Sequence, residues 1–190
     1  TNNDWKEFKW DDEIIVNIMN FIKSIMPTEE ERTYLLRCFS SFLSGDVLGE
    51  IFQIWIGDGS NGKSLLCDLL KLTLGDYYDQ LDISCLTQKR TSSEKPRPEL
   101  VKLKGKRVVI CAESGFNDEL NIGIIKEFTG GDTIPCRQLH KEIIHLKPQF
   151  KLVLHCNHLP KVSGEDNGTW RRLRPLPFES IFKNNPDPTK

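Results

Sequence analysis

The sequence has 190 residues, of which 38% are hydrophobic and 28% are charged, and its formal net charge is −1. This composition is ordinary for a soluble globular protein and gives one domain room for a sizeable core. It excludes binding to nucleic acid through overall basicity, so any such contact must come from a local patch of cations. No apolar run approaches the roughly 20 residues of a membrane span, and no signal-peptide pattern is visible. We therefore expect an intracellular protein without a membrane partner.

The six cysteines show no C-x-x-C spacing. Most of them occur in apolar helix or strand patterns, which favours reduced core residues over disulfides. The sequence begins at Thr1 without Met and ends in the polar residues 184–190. We therefore expect a piece of a longer polypeptide.

Two helices are predicted in residues 1–45. The first covers residues 11–26, with apolar side chains at helical spacing, and begins at two aspartates that can cap it. Thr28 and Glu31 form a capping-box pattern that begins the second helix, which is expected to end near Leu43. We interpret this N-terminal helical segment as packing against the rest of the chain; a specific role in oligomerisation is the alternative.

A phosphate-loop motif follows a predicted buried strand over residues 51–56. Residues 57–64 read GDGSNGKS and fit G-x-x-x-x-G-K-[ST] at every fixed position, and a helix is predicted to continue to residue 74. The backbone N–H groups of such a loop and the N-terminus of its helix bind phosphate oxygens. Lys63 is expected to reach the β- and γ-phosphates of a nucleotide, and the Ser64 hydroxyl to hold Mg²⁺. The candidate nucleotide-binding residues are Gly57, Asp58, Gly59, Ser60, Asn61, Gly62, Lys63 and Ser64.

The segment after the phosphate-loop helix is predicted to contain a short strand over residues 77–83. A polar loop over residues 87–98 follows, with two prolines and alternating charges. Its four basic residues could contact phosphates or an adjacent subunit, but an ordinary solvated loop explains them equally well.

A second buried strand, residues 107–113, ends in a carboxylate. The run is continuously apolar up to Glu113, as a strand buried on both faces must be. Because ligands bind at the carboxyl edge of such sheets, Glu113 is expected to polarise the attacking water or to hold Mg²⁺ through water. Asp118 and Glu119 are nearby, so the assignment of each carboxylate stays open.

A β-hairpin is predicted after a helix over residues 121–128. Its strands cover residues 133–139 and 142–147, which places His140 and Lys141 at the tip. A cation and an imidazole at a hairpin tip can contact a phosphate backbone, although exposed loops are often charged.

The strand predicted over residues 149–157 ends at Asn157, whose amide can orient the attacking water or contact the γ-phosphate. His155, Cys156 and His158 suggest a zinc site. We disfavour zinc, because neighbouring residues on a strand point to opposite faces and no second pair of ligands is evident.

Three arginines stand in the apolar frame of residues 170–178: Arg171, Arg172 and Arg174. An ordinary solvent-facing cation on an edge strand would account for one of these arginines, but it does not account for a cluster of three.

Taken in order, these motifs resemble those of the superfamily 3 helicases. More narrowly, they are similar to the ATPase part of the primase-helicases of poxviruses, giant viruses and some phages and plasmids. The resemblance covers about residues 40–178, and its four motifs are GDGSNGKS, RVVICAE, FTGGDTIPCRQLHKE, and KLVLHCNHLP followed by TWRRLRPLPF. A phosphate loop alone fits many enzymes, whereas the third motif, at this distance from the second and fourth, makes the match specific.

The resemblance implies an α/β fold, an AAA+-like P-loop NTPase with a central mostly parallel sheet. The expected organisation is an N-terminal helical segment over residues 1–45, an ATPase core with a β-hairpin insertion over residues 46–180, and a polar C-terminal tail over residues 181–190. ATP and Mg²⁺ are the implied cofactors, and single-stranded and forked DNA are the implied partners. The full-length protein is expected to form a homo-hexameric ring around DNA and to carry a primase region. The implied location is the host cytoplasm or a viral replication compartment.

The resemblance also assigns roles within a site shared by two subunits. Lys63, Ser64, Glu113 and Asn157 would act in one subunit, with Asn157 as the sensor residue of the fourth motif.

The neighbouring subunit would supply the arginine finger of that site, which is Arg172 or Arg171. His140 and Lys141 match the family's DNA-contacting hairpin, which projects into the ring channel, and Arg137 is a third candidate in the same hairpin.

The leading interpretation is an ATP-driven DNA helicase motor that unwinds duplex DNA at a viral or plasmid replication fork. The alternative is a nucleotide-dependent assembly or switch ATPase that acts on nucleic acid without translocation. A binding module with a decayed ATP site is disfavoured by the intact Lys63, Ser64 and Glu113.

Overall fold

A central parallel sheet organises the computed structural model of the chain, which describes residues 7, 9–87, 96–112, 119–163 and 166–183. Within these ranges the helices are α1 (Glu13–Ile25), α2 (Glu29–Ser41), α3 (Lys63–Leu74), α4 (Ser84–Thr87), α5 (Pro98–Val101), α6 (Ile122–Thr129) and α7 (Asn167–Trp170). The strands are β1 (Phe52–Ile56), β2 (Tyr78–Asp82), β3 (Val108–Ala112), β4 (Glu119–Leu120), β5 (Ile134–Cys136), β6 (Ile144–Leu146), β7 (Lys151–Cys156), β8 (Lys161–Val162) and β9 (Leu173–Pro177). Short 3₁₀ turns cover Leu48–Glu50 and Gly75–Tyr77.

The central sheet has the strand order β2-β3-β7-β1-β9, and every pair is parallel. Strand β1 therefore has a neighbour on each side, and Ile56 at its carboxyl end lies opposite Cys156 of β7 and Pro177 of β9. The inner strands are almost continuously buried, which explains why their sequences are apolar runs rather than alternating patterns. The predicted α/β fold with a mostly parallel sheet is confirmed.

Helices cover both faces of the sheet. On one face α1, α2 and α3 pack around Trp55 in one core cluster. On the other face α4, α5, α6 and the β5–β6 hairpin pack around Phe52 and Ile54. Because side chains alternate along a strand, β1 contributes to both clusters and ties them together. All six cysteines are free and five of them are buried, in agreement with the prediction of reduced core residues.

The N-terminal helices begin and end close to their predicted limits. The side chain of Asp12 caps α1 by accepting a hydrogen bond from the N–H of Ile14 at 2.9 Å. Thr28 is the N-cap residue of α2, as predicted, but its side chain makes no capping hydrogen bond, so the capping-box contact is absent. Instead, the guanidinium of Arg32 closes the turn between the helices by donating to the carbonyl of Met26 at 3.0 Å. Helix α2 ends at Ser41, two residues before the predicted end.

The hairpin has shorter strands than the sequence predicts. Ile134 pairs with Leu146 and Cys136 with Ile144, and residues 137–143 form the connection. The first strand of the hairpin stops at Cys136. The carbonyl of the next residue, Arg137, accepts a hydrogen bond from the N–H of Arg97 at 2.9 Å and so turns away from the second strand, β6.

Several short elements carry no clear sequence signal. The predicted loop over residues 87–98 begins at the last residue of α4 and ends at the first residue of α5, and its middle lies outside the described residues. Strands β4 and β8 form a separate two-stranded parallel pair.

Crossing a membrane would need a longer and more apolar helix than any that the described residues form.

The shared core on the α1–α2 face predicts that the helical segment and the sheet unfold together. Phe42 is 1% exposed in this core, whereas its neighbour Leu43 is 77% exposed. We expect Phe42→Ala to lower the free energy of unfolding by about 3–5 kcal/mol, and Leu43→Ala by less than about 1 kcal/mol. Urea unfolding followed by circular dichroism and by tryptophan fluorescence measures both. Two separated transitions in the wild-type chain would contradict a single cooperative unit.

Candidate functional site

The phosphate loop connects the carboxyl end of β1 to α3. A side chain at Gly57 would clash with the carbonyl oxygen of Phe178. Gly62 has a φ of 84°, in the left-handed region, and a side chain there would clash with Ile25 of α1. Both positions therefore require glycine because of their neighbours in the fold, in addition to the phosphate-binding motif. Helix α3 begins at Lys63, within the phosphate-loop motif.

Asn61 braces the loop from inside. It is 4% exposed, and its Nδ2 donates to the carbonyl of Asp58 at 2.5 Å and to that of Phe178 at 3.3 Å. Its Oδ1 accepts from the N–H of Lys63 at 3.4 Å. The side chain thus spans the loop and ties it to the end of β9.

Lys63 lies under the loop. It is 2% exposed, and its Nζ donates a hydrogen bond to the carbonyl of Gly57. Burial lowers the pKa of Lys63, because the ammonium loses hydration. Phosphate oxygens bound in the loop would supply negative charge and favour the charged ammonium form of Lys63 again. The surroundings of Lys63 are therefore suited to an anionic ligand.

A cavity of about 340 Å³ opens beside the loop. It brings Asn157, the first residue after β7, next to Gly57, since the N–H of Gly57 donates to the carbonyl of Cys156 at 3.3 Å. The cavity is lined by Ile56, Gly57, Asp58, Asn157, Pro177, Phe178, Glu179, Ser180 and Ile181. The parallel pairing of β1 and β7 therefore joins two predicted site residues that are far apart in sequence.

The predicted carboxylate Glu113 lies outside the described residues, as does Asp118. The strand that precedes it ends at Ala112, opposite His155 of β7 and therefore at the same edge of the sheet as the loop. Glu119, the alternative acid, is exposed in β4. The roles of these carboxylates stay predictions.

Ser64 is the predicted Mg²⁺ ligand of the loop. Ser64 is exposed in the first turn of α3, so its hydroxyl is accessible to a hard cation that prefers oxygen ligands. Among the described residues, no group of three or more His, Cys, Asp or Glu side chains could hold a metal ion.

The start of the predicted tail lies over the phosphate loop. The N–H of Phe182 donates to the carbonyl of Ser60 at 2.7 Å, and the hydroxyl of Ser180 donates to the carbonyl of Ser24 at the end of α1, also at 2.7 Å. Residues 178–183 therefore link the loop to α1. The sequence signal for this contact is the apolar pair at residues 181–182 within a polar tail.

Two of the three arginines share one carboxylate at the opposite edge of the sheet. Nη2 of Arg172 lies 2.8 Å from Oε2 of Glu50, and Arg171 forms an ion pair with the same oxygen. The side chain of Arg172 is 9% exposed and that of Arg171 is 62% exposed. Arg174 is exposed on β9. Arg172 is thus a buried anchor, and Arg171 is the accessible cation of the pair.

The hairpin tip is exposed. His140 has a φ of 58°, and the N–H of Lys141 donates to the carbonyl of Gln138 at 3.2 Å, which gives the tip a defined turn. Both residues are exposed, whereas Arg137 is half-buried. Two exposed apolar side chains, Leu139 and Ile143, flank the tip.

Comparison with known proteins places the chain in a family. A family model described as a family of unknown function, DUF5906, matches residues 55–172, which is more than half of the chain. The chain belongs to the DUF5906 family. The match contains the phosphate loop, the hairpin, Asn157 and both arginines of the Glu50 pair.

Curated relatives of the DUF5906 chain come from large DNA viruses. A protein of Acanthamoeba polyphaga mimivirus named "Putative helicase L207/L206" is 48% identical over 190 residues, which is 100% of this chain and 20% of that protein. An African swine fever virus protein named "Putative primase C962R" is 30% identical over 172 residues, which is 90% of this chain and 18% of that protein. The chain thus spans about a fifth of the length of the curated relatives it matches.

Solved structures share the fold. The C-terminal region of NrS-1 has a TM-score of 0.68 at 16% identity, over 88% of this chain and 38% of that chain. JCV Helicase has a TM-score of 0.51 at 12% identity, over 84% of this chain and 43% of that chain. The names of the viral relatives confirm the predicted resemblance to viral helicases and primases, and the solved structures confirm the fold.

Two features of the DUF5906 chain add to what the sequence predicts. Asn61 was predicted to bind nucleotide, and its side chain has the additional role of bracing the loop against the carbonyls of Asp58 and Phe178; its contact with nucleotide stays a prediction. Glu50 was not singled out, because nothing near it in the sequence points to its partners Arg171 and Arg172 in the turn after α7.

The unequal burial of the two arginines predicts unequal effects on stability. We expect Arg172→Ala to lower the free energy of unfolding by about 1–3 kcal/mol, because it removes a buried charge partner of Glu50. Arg171→Ala, the control at the neighbouring exposed position, is expected to change it by less than about 0.5 kcal/mol. Chemical denaturation of both variants measures the difference, and equal effects would contradict the assignment of Arg172 as the anchor.

Proposed function

We propose that the chain is the ATP-hydrolysing motor of a viral DNA replication helicase-primase. The observation that carries this proposal is the phosphate loop at the carboxyl end of β1, with Lys63 buried beneath it and Asn157 beside it. The names of the viral relatives support a role in replication, and the structural neighbours support the helicase-type fold.

In this proposal the backbone of residues 57–64 binds the phosphates of ATP, and the Ser64 hydroxyl ligates Mg²⁺. Lys63 contacts the β- and γ-phosphates and stabilises the charge that develops on the transferred group. Glu113 orients the attacking water, and Asn157 contacts the γ-phosphate across the cavity. Bound Mg²⁺ supplies charge neutralisation at the phosphates.

The arginine finger acts in a second subunit. Arg171 and Arg172 precede β9, whereas the phosphate loop follows the carboxyl end of its parallel neighbour β1. The strand between them has five residues, which at about 3.3 Å each separates the two edges by roughly 16 Å. An arginine side chain does not extend that far, so these cations serve a neighbouring copy. Exposure favours Arg171 as the finger.

DNA contacts are assigned to the hairpin tip. The formal net charge of −1 gives the chain no bulk attraction for DNA, so a few placed cations must supply it. Lys141 and His140 are exposed at the tip, and the flanking Leu139 and Ile143 offer apolar surface for bases. In a hexamer, six such tips would line a channel around single-stranded DNA at the fork.

The rest of the polypeptide supplies further activities. Because the relatives are about five times longer than this chain, a primase region in the same protein is part of the proposal. The site of action is intracellular, at a viral replication compartment or in the host cytoplasm, where forked DNA and ATP are both present.

Lys63→Ala is expected to abolish ATP hydrolysis and strand displacement while the fold is kept. Removing a cation that contacts the transferred phosphate costs on the order of 3 kcal/mol of transition-state stabilisation, or at least about a hundredfold in kcat. Lys71→Ala, an exposed lysine on the same helix, is the control and should keep wild-type rates. ATPase assays and displacement of a tailed duplex by the full-length protein test this.

The same assays separate the motor from a switch. Hydrolysis by wild-type protein without strand displacement would favour the assembly or switch ATPase. Near-normal turnover of Lys63→Ala would overturn the phosphate-loop assignment.

The double change of His140 and Lys141 to Ala should weaken single-stranded DNA binding and unwinding, and spare basal hydrolysis. Each lost phosphate contact lowers the slope of log affinity against log salt by slightly less than one. Lys147→Ala, an exposed lysine at the far end of the hairpin, is the control. Binding isotherms at several salt concentrations measure the slope. Unchanged affinity and slope would remove the tip from the DNA interface.

A further inference from the structure

Glu50 has an unusual backbone for its residue type. Gly49 has a φ of 82° and Glu50 a φ of 51°, so two successive residues are left-handed. For a residue with a side chain this conformation costs free energy, and surrounding contacts must offset the cost. It turns the Glu50 carboxylate onto the two arginines that follow α7.

The carboxylate is shared unequally by these arginines. Arg172 is held at both ends of its guanidinium, since Nη2 lies 2.8 Å from Oε2 of Glu50 and Nη1 donates to the carbonyl of Gly168. Its backbone carbonyl also accepts from the N–H of Phe52 at 2.8 Å, which fixes it to β1. Arg171 pairs with the same oxygen of Glu50 from the solvent side.

The turn that carries the arginines is held from its other side by Asp166. This residue caps α7 by accepting from the N–H of Thr169 at 2.8 Å, and it accepts from Nζ of Lys126 at 2.9 Å. The hydrogen bonds from Lys126 and Thr169 lower the pKa of Asp166 to about 2, so it remains ionised at neutral pH. The turn that carries Arg171 and Arg172, called the arginine turn below, is therefore held by contacts with α6, with β1 and with Glu50.

One negative charge faces two positive charges in this arrangement. If the carboxylate were neutral, the two guanidiniums that converge on one oxygen would repel each other, and the buried Arg172 would lose its charged partner. Because Arg172 cannot move far from its other contacts, Arg171 would take up most of the displacement. The direction in which Arg171 points thus depends on the charge of Glu50.

We infer that Glu50 is a positioning residue for the arginine finger. It anchors Arg172 and aims Arg171 at the nucleotide of the neighbouring subunit. The inference rests on the proposed function, because it needs a site completed by a second copy. In this role Glu50 contacts neither the nucleotide nor the attacking water. It lies at the edge of the sheet opposite the phosphate loop of its own subunit.

The test uses full-length protein with Glu50→Gln, which keeps the side-chain volume and the same backbone requirement and removes the charge. We expect kcat for ATP to fall on the order of 10- to 100-fold, as for a misplaced catalytic group, with little change in KM. Glu50→Asp, which restores the charge, should recover part of the rate. The double variant of Glu50→Gln with Arg171→Ala should be no slower than Arg171→Ala alone.

Mixing two inactive variants and measuring the recovered ATPase activity distinguishes a positioning role of Glu50 from a loss of structure. Glu50→Gln mixed with Lys63→Ala should recover activity, because some interfaces then combine an intact loop with an intact arginine donor. Glu50→Gln mixed with Arg171→Ala should not recover, because both defects lie on the donor side. The opposite pattern would overturn the inference.

The matched control is Asp79→Asn. Asp79 is also a carboxylate that pairs with two cations, Lys102 at 3.3 Å and Lys106 at 3.4 Å, away from the arginine turn. The Asp79→Asn substitution should leave kcat unchanged. Wild-type rates for Glu50→Gln, or a raised KM with a lowered unfolding midpoint, would overturn the positioning role and leave the proposed function standing. No hydrolysis by the wild-type protein would overturn both.

Discussion

The phosphate loop keeps its shape because both neighbours of β1 hold its first residues. On one side the N–H of Gly57 donates to β7, and on the other the N–H of Phe178 donates to the carbonyl of Ile56 at 2.7 Å. Asn61 then closes the loop onto Phe178. These contacts exist only because β1 lies between two parallel strands, so the strand order fixes the geometry of the loop. The position of Asn157 and the cavity beside the loop follow from the same pairing.

The loop also lies at the junction of segments from both ends of the chain. Ile25 of α1 fills the space that a side chain at Gly62 would occupy, and Phe182 bonds to the carbonyl of Ser60. Packed groups of this kind cannot shift independently, since protein interiors contain few voids. A phosphate ligand that rearranged the loop would therefore displace α1 and residues 178–183 together. The N-terminal helices thus belong to the same mechanical unit as the loop.

The sequence predicts the features that depend on near neighbours. Apolar runs predict the buried strands, and the fixed positions of the loop predict its place between strand and helix. The prediction fails where a distant group competes: the N–H of Arg97 donates to the carbonyl of Arg137 and so ends the hairpin strand at Cys136. Glu50 was unpredictable for the same reason, because its partner Arg171 lies 121 residues away.

Parallel strands place the two halves of the proposed site at opposite edges of one sheet. The loop and Asn157 follow carboxyl ends, whereas Arg171 precedes the amino end of β9. No rotation of a side chain brings these halves together in one copy, but a second copy that docks its amino edge on the carboxyl edge of the first does so. Such a contact is head-to-tail, and repeating it closes a ring when the rotation between successive copies returns to the first copy. In the proposed assembly each subunit would therefore carry a complete set of groups and contribute half of them to its neighbour's site. The ion pair at Glu50 would then act on a nucleotide bound by the neighbouring subunit.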